Sequence, residues 1–309
     1  MIIKDLKYNP YMPKDPDFFN VNKAKLEIDF KKYKNKPVFS VIIPTFNKKK
    51  SLELVLNSFF KQDYLKPSYE IIVIDDGSTD KTLESIKNIK PNCNFKYFYW
   101  PRKKLKVKKE YKKFAKFYNR AGLARNIGIK NAKGKIILFN DADILVNQNC
   151  LKKHQDYHNK YSNIIVRGFR MFLSRANFIG RKTACPEKSG REKELCCRMY
   201  NLSKEGWYRV ITSNLSVRKK YLDRICGFSR DFVFWGFEDV DLGYRLSRSF
   251  NLKFIWEDKI KVYHLWHSRE SGGRVRDLLA IKTGANILYN KYFDKEISLI
   301  FNDVIKRRS

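Results

Sequence analysis

The chain has no Cys-x-x-Cys pair. Its six cysteines (Cys93, Cys150, Cys185, Cys196, Cys197 and Cys226) follow no regular spacing, and the adjacent Cys196 and Cys197 do not readily pair with each other. A zinc site or disulfide framework is therefore disfavoured, and reduced structural thiols are expected. No apolar run approaches the ~20 residues that a bilayer span takes. The opening residues Met1-Ile2-Ile3-Lys4-Asp5 lack the apolar core of a secretory signal, so a cytoplasmic location is expected. No Gly-x-Gly-x-x-Gly follows the first apolar strand and no Gly-x-x-x-x-Gly-Lys is present, which disfavours nicotinamide enzymes and P-loop NTPases. Negative charge is also scarce: 32 acids face 65 Lys and Arg, a net charge of +33. Nucleic acid, an anionic membrane surface or negatively charged substrates would each suit that excess. A composition rich in Lys, Asn and Ile accounts for part of it as solvated surface. The densest stretch, Arg102 to Lys116, carries nine basic residues against one Glu. No recognition-helix, RNP or zinc-finger pattern accompanies it, so nucleic acid is the disfavoured partner.

What the chain does contain is a regular alternation. With 309 residues, 43% hydrophobic and 15% aromatic, it is long enough for a large globular core. Residues 1–36 read as a polar, basic arm ending in a short amphipathic piece near Lys23–Lys34. A strand at Val38–Ile43 is followed by a helix with Leu52, Val55, Leu56, Phe59 and Phe60 on one face and Ser51 as its cap. Then come a strand at Glu70–Ile74, a helix at about 81–90, a strand at Phe95–Trp100, a helix over Tyr118–Ala132 and a strand at Ile136–Phe139. Four strands threaded by helices predict a mainly parallel sheet with right-handed crossovers. Ligands of such sheets sit beyond the strands' C-terminal ends, and Pro44–Asn47, Asp75–Asp80 and Asp141–Asp143 all fall there.

The second half is less regular. It holds a strand at Ile164–Phe169 and a long non-periodic stretch, 175–207, which reads as an active-site or partner-binding insertion. Order resumes at Val210–Arg218, and a helix runs from the Phe234–Asp241 segment through Phe250. Closing strands follow at Phe254–Trp256 and Ile260–Leu265, with a basic amphipathic helical tail beyond Gly273.

Asp141-Ala142-Asp143 carries the first chemical suggestion. In extended chain, residues i and i+2 project to one side, so the two carboxylates can converge on a point. There they repel unless a cation intervenes, and a divalent oxygen-seeking metal carrying a phosphate meets that need. An Asx turn is the plainer alternative. Asp76 is open to the same doubt as a turn residue beside Gly77. Glu238 and Asp239 are equally explained as acids favoured by a helix N-terminal dipole.

The ordered set Val41-Ile42-Ile43-Pro44-Thr45-Phe46-Asn47, Ile74-Asp75-Asp76-Gly77-Ser78-Thr79-Asp80, Ala124-Arg125-Asn126-Ile127-Gly128 and Asp141-Ala142-Asp143 resembles the family-2 glycosyltransferases of GT-A fold. Trp235-Gly236-Phe237-Glu238-Asp239-Val240-Asp241, followed by His267-Ser268-Arg269, resembles the acceptor-side motif of β-1,4-galactosyltransferases, polypeptide N-acetylgalactosaminyltransferases and chondroitin-polymerase-like enzymes. The resemblance implies an α/β, Rossmann-like, mainly parallel central sheet flanked by helices, with an acceptor-binding C-terminal half. It divides the chain into an arm (1–36), a nucleotide-sugar-binding half (37–145), an acceptor-binding and catalytic half (146–270) and a basic tail (271–309).

The implied activity is metal-dependent, inverting transfer of a hexose or N-acetylhexosamine from a UDP-sugar, with Mn²⁺ or Mg²⁺, to a hydroxyl of a glycan or lipid-linked glycan, as in surface polysaccharide synthesis. By residue, Pro44, Thr45, Asn47 and Asp76 hold the uracil, and Arg125 lies near the diphosphate and donor sugar. Asp141 serves ribose and metal, and Asp143 the metal. His267, preferred to His264, completes the metal shell. Glu238 orients the acceptor, Asp239 is the base, and Trp235 with Gly236 lines the acceptor site. No Gln-x-x-Arg-Trp motif is present, so single addition is expected over polymer extrusion. The alternatives are a protein or peptide glycosyltransferase of the same fold and, in a different class, a basic nucleic-acid-binding protein. Cluster 102–116 is expected to dock on anionic lipid at the inner face of the cell membrane, or on a phosphate-bearing acceptor.

Overall fold

Runs of β-branched and aromatic residues without polar alternation need cover on both faces, and the chain supplies it with helices. β2 (Phe39–Thr45) and β3 (Tyr69–Asp75) are buried almost throughout. The computed structural model describes residues 16–102, 118–173, 184–185, 206–232, 236–266 and 273–299. Within them β4 (Asn94–Tyr99), β3, β2 and β5 (Ile136–Phe139) form a parallel block in that order. Antiparallel neighbours widen the sheet on both sides. β1 (Lys25–Phe30) pairs with β4 at one edge. Beyond β5 come β9 (Leu215–Arg218), β7 (Ile164–Leu173), β10 (Lys253–His264) and β6 (Ile144–Val146), of which β7 and β10 run parallel to each other, with β8 (Ala184–Cys185) off the path against β7.

Period-two alternation decides which helix covers which face. Phe39, Val41 and Ile43 of β2 pack with α1 (Lys49–Phe60), α2 (Thr82–Lys87) and α4 (Cys150–Lys160). Ile42, Ile72, Ile74 and Phe139 pack on the other face with α3 (Ala121–Asn131), α5 (Lys219–Arg224) and α6 (Glu238–Phe250). α3 lies so close to the sheet that a Cβ on Gly128 would come within 2.5 Å of the Ile42 side chain. α7 (Gly273–Tyr292) joins a third cluster, in which Ala285 and Leu288 meet Trp207, Tyr208 and Tyr244. Among the described residues, no helix is long and apolar enough to cross a membrane.

Several elements depart from the sequence reading. The amphipathic piece near Lys23–Lys34 is edge strand β1, in which Leu26, Ile28 and Phe30 alternate with Lys25, Glu27 and Asp29 although most of the strand stays exposed. The two closing strands are one, β10, interrupted by a register shift between Glu257 and Lys261. Ser51 does not cap α1: the helix starts at Lys49, and the Lys49 N–H donates to Asp80 Oδ2 at 3.0 Å, so the cap comes from the neighbouring loop. Most of the 175–207 insertion and residues 103–116 of the 102–116 basic cluster lie outside the described residues.

Candidate active site

The loops after β2 and β3 are tied into one unit at the C-terminal edge of the parallel block. The Asp76 N–H donates to the Thr45 carbonyl at 2.8 Å, extending the ladder past the strands. Asn47, with a left-handed φ of 51°, receives the Thr79 N–H on Oδ1 at 2.7 Å and donates its own N–H to Ser78 Oγ at 2.8 Å. Thr45 is buried and its Oγ1 has no partner among the described residues. Pro44 lies one residue before it, past Ile42, where pairing with β5 ends.

Asp76 is clamped rather than open. Arg120 Nε donates to its Oδ1 at 2.7 Å and Arg102 forms an ion pair with Oδ2. The two guanidiniums stack on aromatics, Arg120 at 3.7 Å from the Trp100 ring centroid and Arg102 at 3.9 Å from Phe46. Burial works against the Arg120 charge and lowers its pKa, while Asp76 opposes that shift. The result is a cluster of cationic and aromatic groups around Asp76, beside the Asn47 loop.

At the end of β5 the acidic pair splits between two partners. Arg125, buried on α3, donates from Nη2 to Asp141 Oδ1 at 2.8 Å. Its Nη1 lies 3.8 Å from Oε1 of Glu238, the first residue of α6. Burial disfavours the guanidinium charge, yet Asp141, Asp239 and Glu238 together hold its pKa above the ordinary value. Arg125 thus links the end of β5 to α6 from the far half of the chain. Its Nε and Nη1, and Glu238 Oε2, have no hydrogen-bond partner among the described residues. Buried polar atoms are rarely left so, and all three belong to the Arg125–Glu238 pair.

Burial, then the Asp239 charge, pushes the Glu238 pKa up to about 8, against the pull of Arg125. Asp239 is raised by burial in the same way, opposed by Arg125 and by the Thr212 N–H and O–H, which donate to it at 3.1 and 3.0 Å. Two adjacent carboxyls with raised affinity for protons around one fixed cation suit proton transfer.

Asp143 faces Lys48 Nζ at 3.5 Å and His264 Nε2 at 3.8 Å. Among the described residues no three His, Cys, Asp or Glu side chains gather to enclose a metal. The donor set fits a hard divalent cation only if substrate phosphates fill most of its shell, the usual arrangement for Mg²⁺-type sites. The Lys48 ammonium shows that the position accepts positive charge. His264, the rival of His267, is the histidine placed beside Asp143. His267 and Trp235 lie outside the described residues, and Gly236 turns the chain into α6 with φ at +92°.

The sequence pattern of Glycosyl transferase family 2 matches residues 40–225, more than half of the chain. The chain belongs to glycosyl transferase family 2. A second pattern, the N-terminal domain of galactosyltransferase, matches residues 193–268. The poly(ribitol-phosphate) β-N-acetylglucosaminyltransferase TarS of Staphylococcus aureus is 35% identical over 114 residues, covering 37% of this chain and 18% of TarS. Chondroitin synthase of Pasteurella multocida is 24% identical over 268 residues, covering 79% of this chain and 26% of that protein. The chain therefore spans only a fraction of these relatives' lengths. A crystal structure of S. aureus TarS 1-349 with UDP-GlcNAc superposes with a TM-score of 0.60 at 20% identity, covering 87% of this chain and 72% of that one. The fold is the GT-A fold expected from the sequence.

Three features of this family-2 site were not read from the sequence. Arg120 pairs with Asp76 across 44 positions, a distance at which no local pattern signals a partner. Asp241, although it belongs to the Glu-Asp-Val-Asp run, is fully buried and structural: Arg245 Nε, Lys291 Nζ and Tyr292 Oη donate to it at 2.8, 3.1 and 2.6 Å, pinning α7 to α6. The third is a buried polar chain beneath the acidic loop. Asn140 Nδ2 donates to the carbonyls of Asp141 and Ile144 at 3.0 and 2.9 Å, and Asn214 Nδ2 donates to Asn140 Oδ1 at 3.3 Å. His154 then joins Asn214 (3.0 Å) to Ser216 (2.8 Å), and His158 lies 2.8 Å from the same Ser216 hydroxyl. A Cβ on Gly168 would meet Asn214 Oδ1 at 2.4 Å, so glycine is required there for the chain to form.

Burial lowers the pKa of His154 to about 4 and of His158 to about 3. In the unfolded chain a histidine takes up a proton near pH ~6.5, which the folded imidazoles refuse. Stability is therefore expected to fall as pH drops from ~6.5 toward 4. Urea denaturation at stepped pH measures this, and a His154→Phe/His158→Leu variant should show a flatter profile. An equally steep profile in the variant would place the titration elsewhere.

Proposed function

We propose that the chain is a metal-dependent, inverting glycosyltransferase that moves a hexose or N-acetylhexosamine from a UDP-sugar to a hydroxyl of a glycan or lipid-linked glycan acceptor. The observation that carries the proposal is Arg125: a buried, fixed positive charge with two unsatisfied N–H-bearing nitrogens, between the carboxylate of Asp141 and the acids of α6. A diphosphate-linked sugar brings the acceptor atoms that these donors lack.

Around it, Pro44, Thr45, Asn47 and Asp76 form the uracil end, with Asp141 toward the ribose. Asp143, with His264 or His267, would hold Mn²⁺ or Mg²⁺, and the chemistry such a cation would supply is charge to offset the leaving diphosphate. Displacement at the anomeric carbon needs a base on the opposite side from the diphosphate. Asp239 takes the acceptor hydroxyl proton while Thr212 holds its carboxylate still, and Glu238, with Trp235 and Gly236, orients the acceptor. TarS binds UDP-GlcNAc in its solved complex, and the names of TarS and of chondroitin synthase point to large anionic glycans as acceptors. Both support the same class of chemistry here, in surface polysaccharide synthesis. A cytoplasmic location, with cluster 102–116 against anionic lipid, belongs to the same proposal.

A screen of UDP-sugars for Mn²⁺-dependent hydrolysis is expected to single out one donor without any acceptor. If none is turned over and salt-sensitive RNA or DNA binding is found instead, the nucleic-acid alternative replaces this reading.

A further inference from the structure

On the sheet edge opposite the donor loops lies a groove of about 1070 Å³. Segment 31–36, the start of β4, the 132–135 turn and the junction of β9 with α5 bound it. The seven residues of β2 separate it from the donor loops, about 20 Å at ~3.3 Å per residue. One small ligand cannot serve both places.

Ten of its twenty lining residues are Lys or Arg, against 65 of 309 in the whole chain, so overall composition does not explain the enrichment. Its three acids are each already paired: Asp29 with Lys31 at 2.9 Å, Glu70 with Lys96 at 3.3 Å and Asp223 with Lys219 at 2.7 Å. Lys34, Lys36, Lys133 and Lys135 stand exposed around the rim. Unneutralised ammonium groups around a concavity focus the field and concentrate an anion there.

The residue types narrow the anion. Planar carboxylates favour the bidentate fork of arginine, whereas lysine acts as a point charge toward phosphate. The one arginine in the groove, Arg218, already donates to the carbonyls of His158 and Ser162 at 2.6 and 3.2 Å. A flat bilayer would touch only the rim of a concave surface. Single-stranded nucleic acid stacks successive bases on several aromatic platforms, but of the three aromatics here Phe95 is buried and Lys32 lies over the Tyr33 ring, which leaves Phe30 as a single exposed ring. We propose that this groove binds a phosphodiester-linked chain that carries no nucleobases, gripping its backbone away from the donor site. The proposal does not rest on the donor assignment.

The test is a binding titration with a labelled glycerol-phosphate oligomer at physiological salt. A uridine RNA oligomer of equal charge and phosphatidylglycerol vesicles run beside it. Reversing Lys34, Lys133 and Lys135 to Glu is expected to weaken oligomer binding at least about tenfold and to reduce the slope of log affinity against log salt by about 2. Reversing Lys87, Lys90 and Lys152, which lie outside the groove, should change affinity less than about threefold. All six lysines are exposed, so melting temperatures should match wild type; a Lys→Gln set serves if a reversal does not fold. UDP-sugar hydrolysis without acceptor should be unchanged in the groove variant, which separates this test from the donor reading. Equal weakening by both reversals, or tighter engagement of the groove lysines by RNA or vesicles, would overturn the proposal.

Discussion

Asp239→Asn is expected to reduce sugar transfer by about 10²–10⁴-fold, the usual contribution of a positioned base, while UDP binding is retained. Asparagine keeps the shape of the side chain and can still accept from Thr212, whose N–H and O–H reach Asp239 at 3.1 and 3.0 Å. It cannot take the acceptor proton. The pH profile supplies a second readout. Burial raises the Asp239 pKa, and Asp141 adds to the shift, so the acid limb of wild-type transfer should lie above the ordinary aspartate range and rise with pH as the carboxylate forms.

The stability sign is also defined. A carboxyl whose folded pKa exceeds its unfolded value costs stability as pH rises from the unfolded to the folded value. The Asn variant lacks that cost, so it should melt no lower than wild type at neutral pH. Lost activity in a well-folded, UDP-binding variant then means lost base chemistry. Full transfer activity would remove Asp239 from that role.

Asp143→Ala is expected to lower UDP-sugar turnover by at least about 100-fold and to abolish its stimulation by Mn²⁺, because charge neutralisation at a leaving diphosphate is worth several kcal/mol. The comparison that gives this weight is Lys48→Ala. Lys48 Nζ is 3.5 Å from Asp143 and could itself meet a diphosphate. If the lysine variant keeps its Mn²⁺ response and the aspartate variant loses it, the carboxylate holds the cation. Calorimetry of UDP binding with and without Mn²⁺ reads the same linkage without turnover. A Mn²⁺ response that survives in Asp143→Ala would sink the assignment.

The parallel block of the sheet was legible because its information is local. Val41-Ile42-Ile43 and Ile71-Ile72-Val73 announce buried strands, and Leu52, Val55, Leu56 and Phe59 announce the helix between them. The handedness of the crossovers then delivers their turns to one edge. Edge strand β1 was legible only as an amphipathic piece: Leu26, Ile28 and Phe30 alternate at period two, but backbone pairing to β4, far along the chain, is what makes it a strand of this sheet. Most of the insertion and the Trp235 and His267 positions, outside the described residues, add nothing on either side.

The acids at the start of α6 show where local reading ends. Glu238, Asp239 and Asp241 share one turn and one dipole, and nothing in their spacing ranks them. Tertiary packing separates them: Glu238 toward Arg125, Asp239 onto Thr212, Asp241 into the Arg245–Lys291–Tyr292 anchor. Likewise Asp76 looked like a turn residue until Arg102 and Arg120 closed on it. His154 and His158 carried no signal until they lined up under Asn140 through Asn214 and Ser216.

By itself, then, the sequence determined the alternation of strands and helices, the edge where the polar turns gather and the membership of Asp141 and Asp143 in that edge. All of these depend on periodicity and chain handedness over short windows. Only the tertiary structure decided which charge faces which, because partners far apart in the chain meet through packing, and side-chain periodicity records the face that is buried but not the group that covers it.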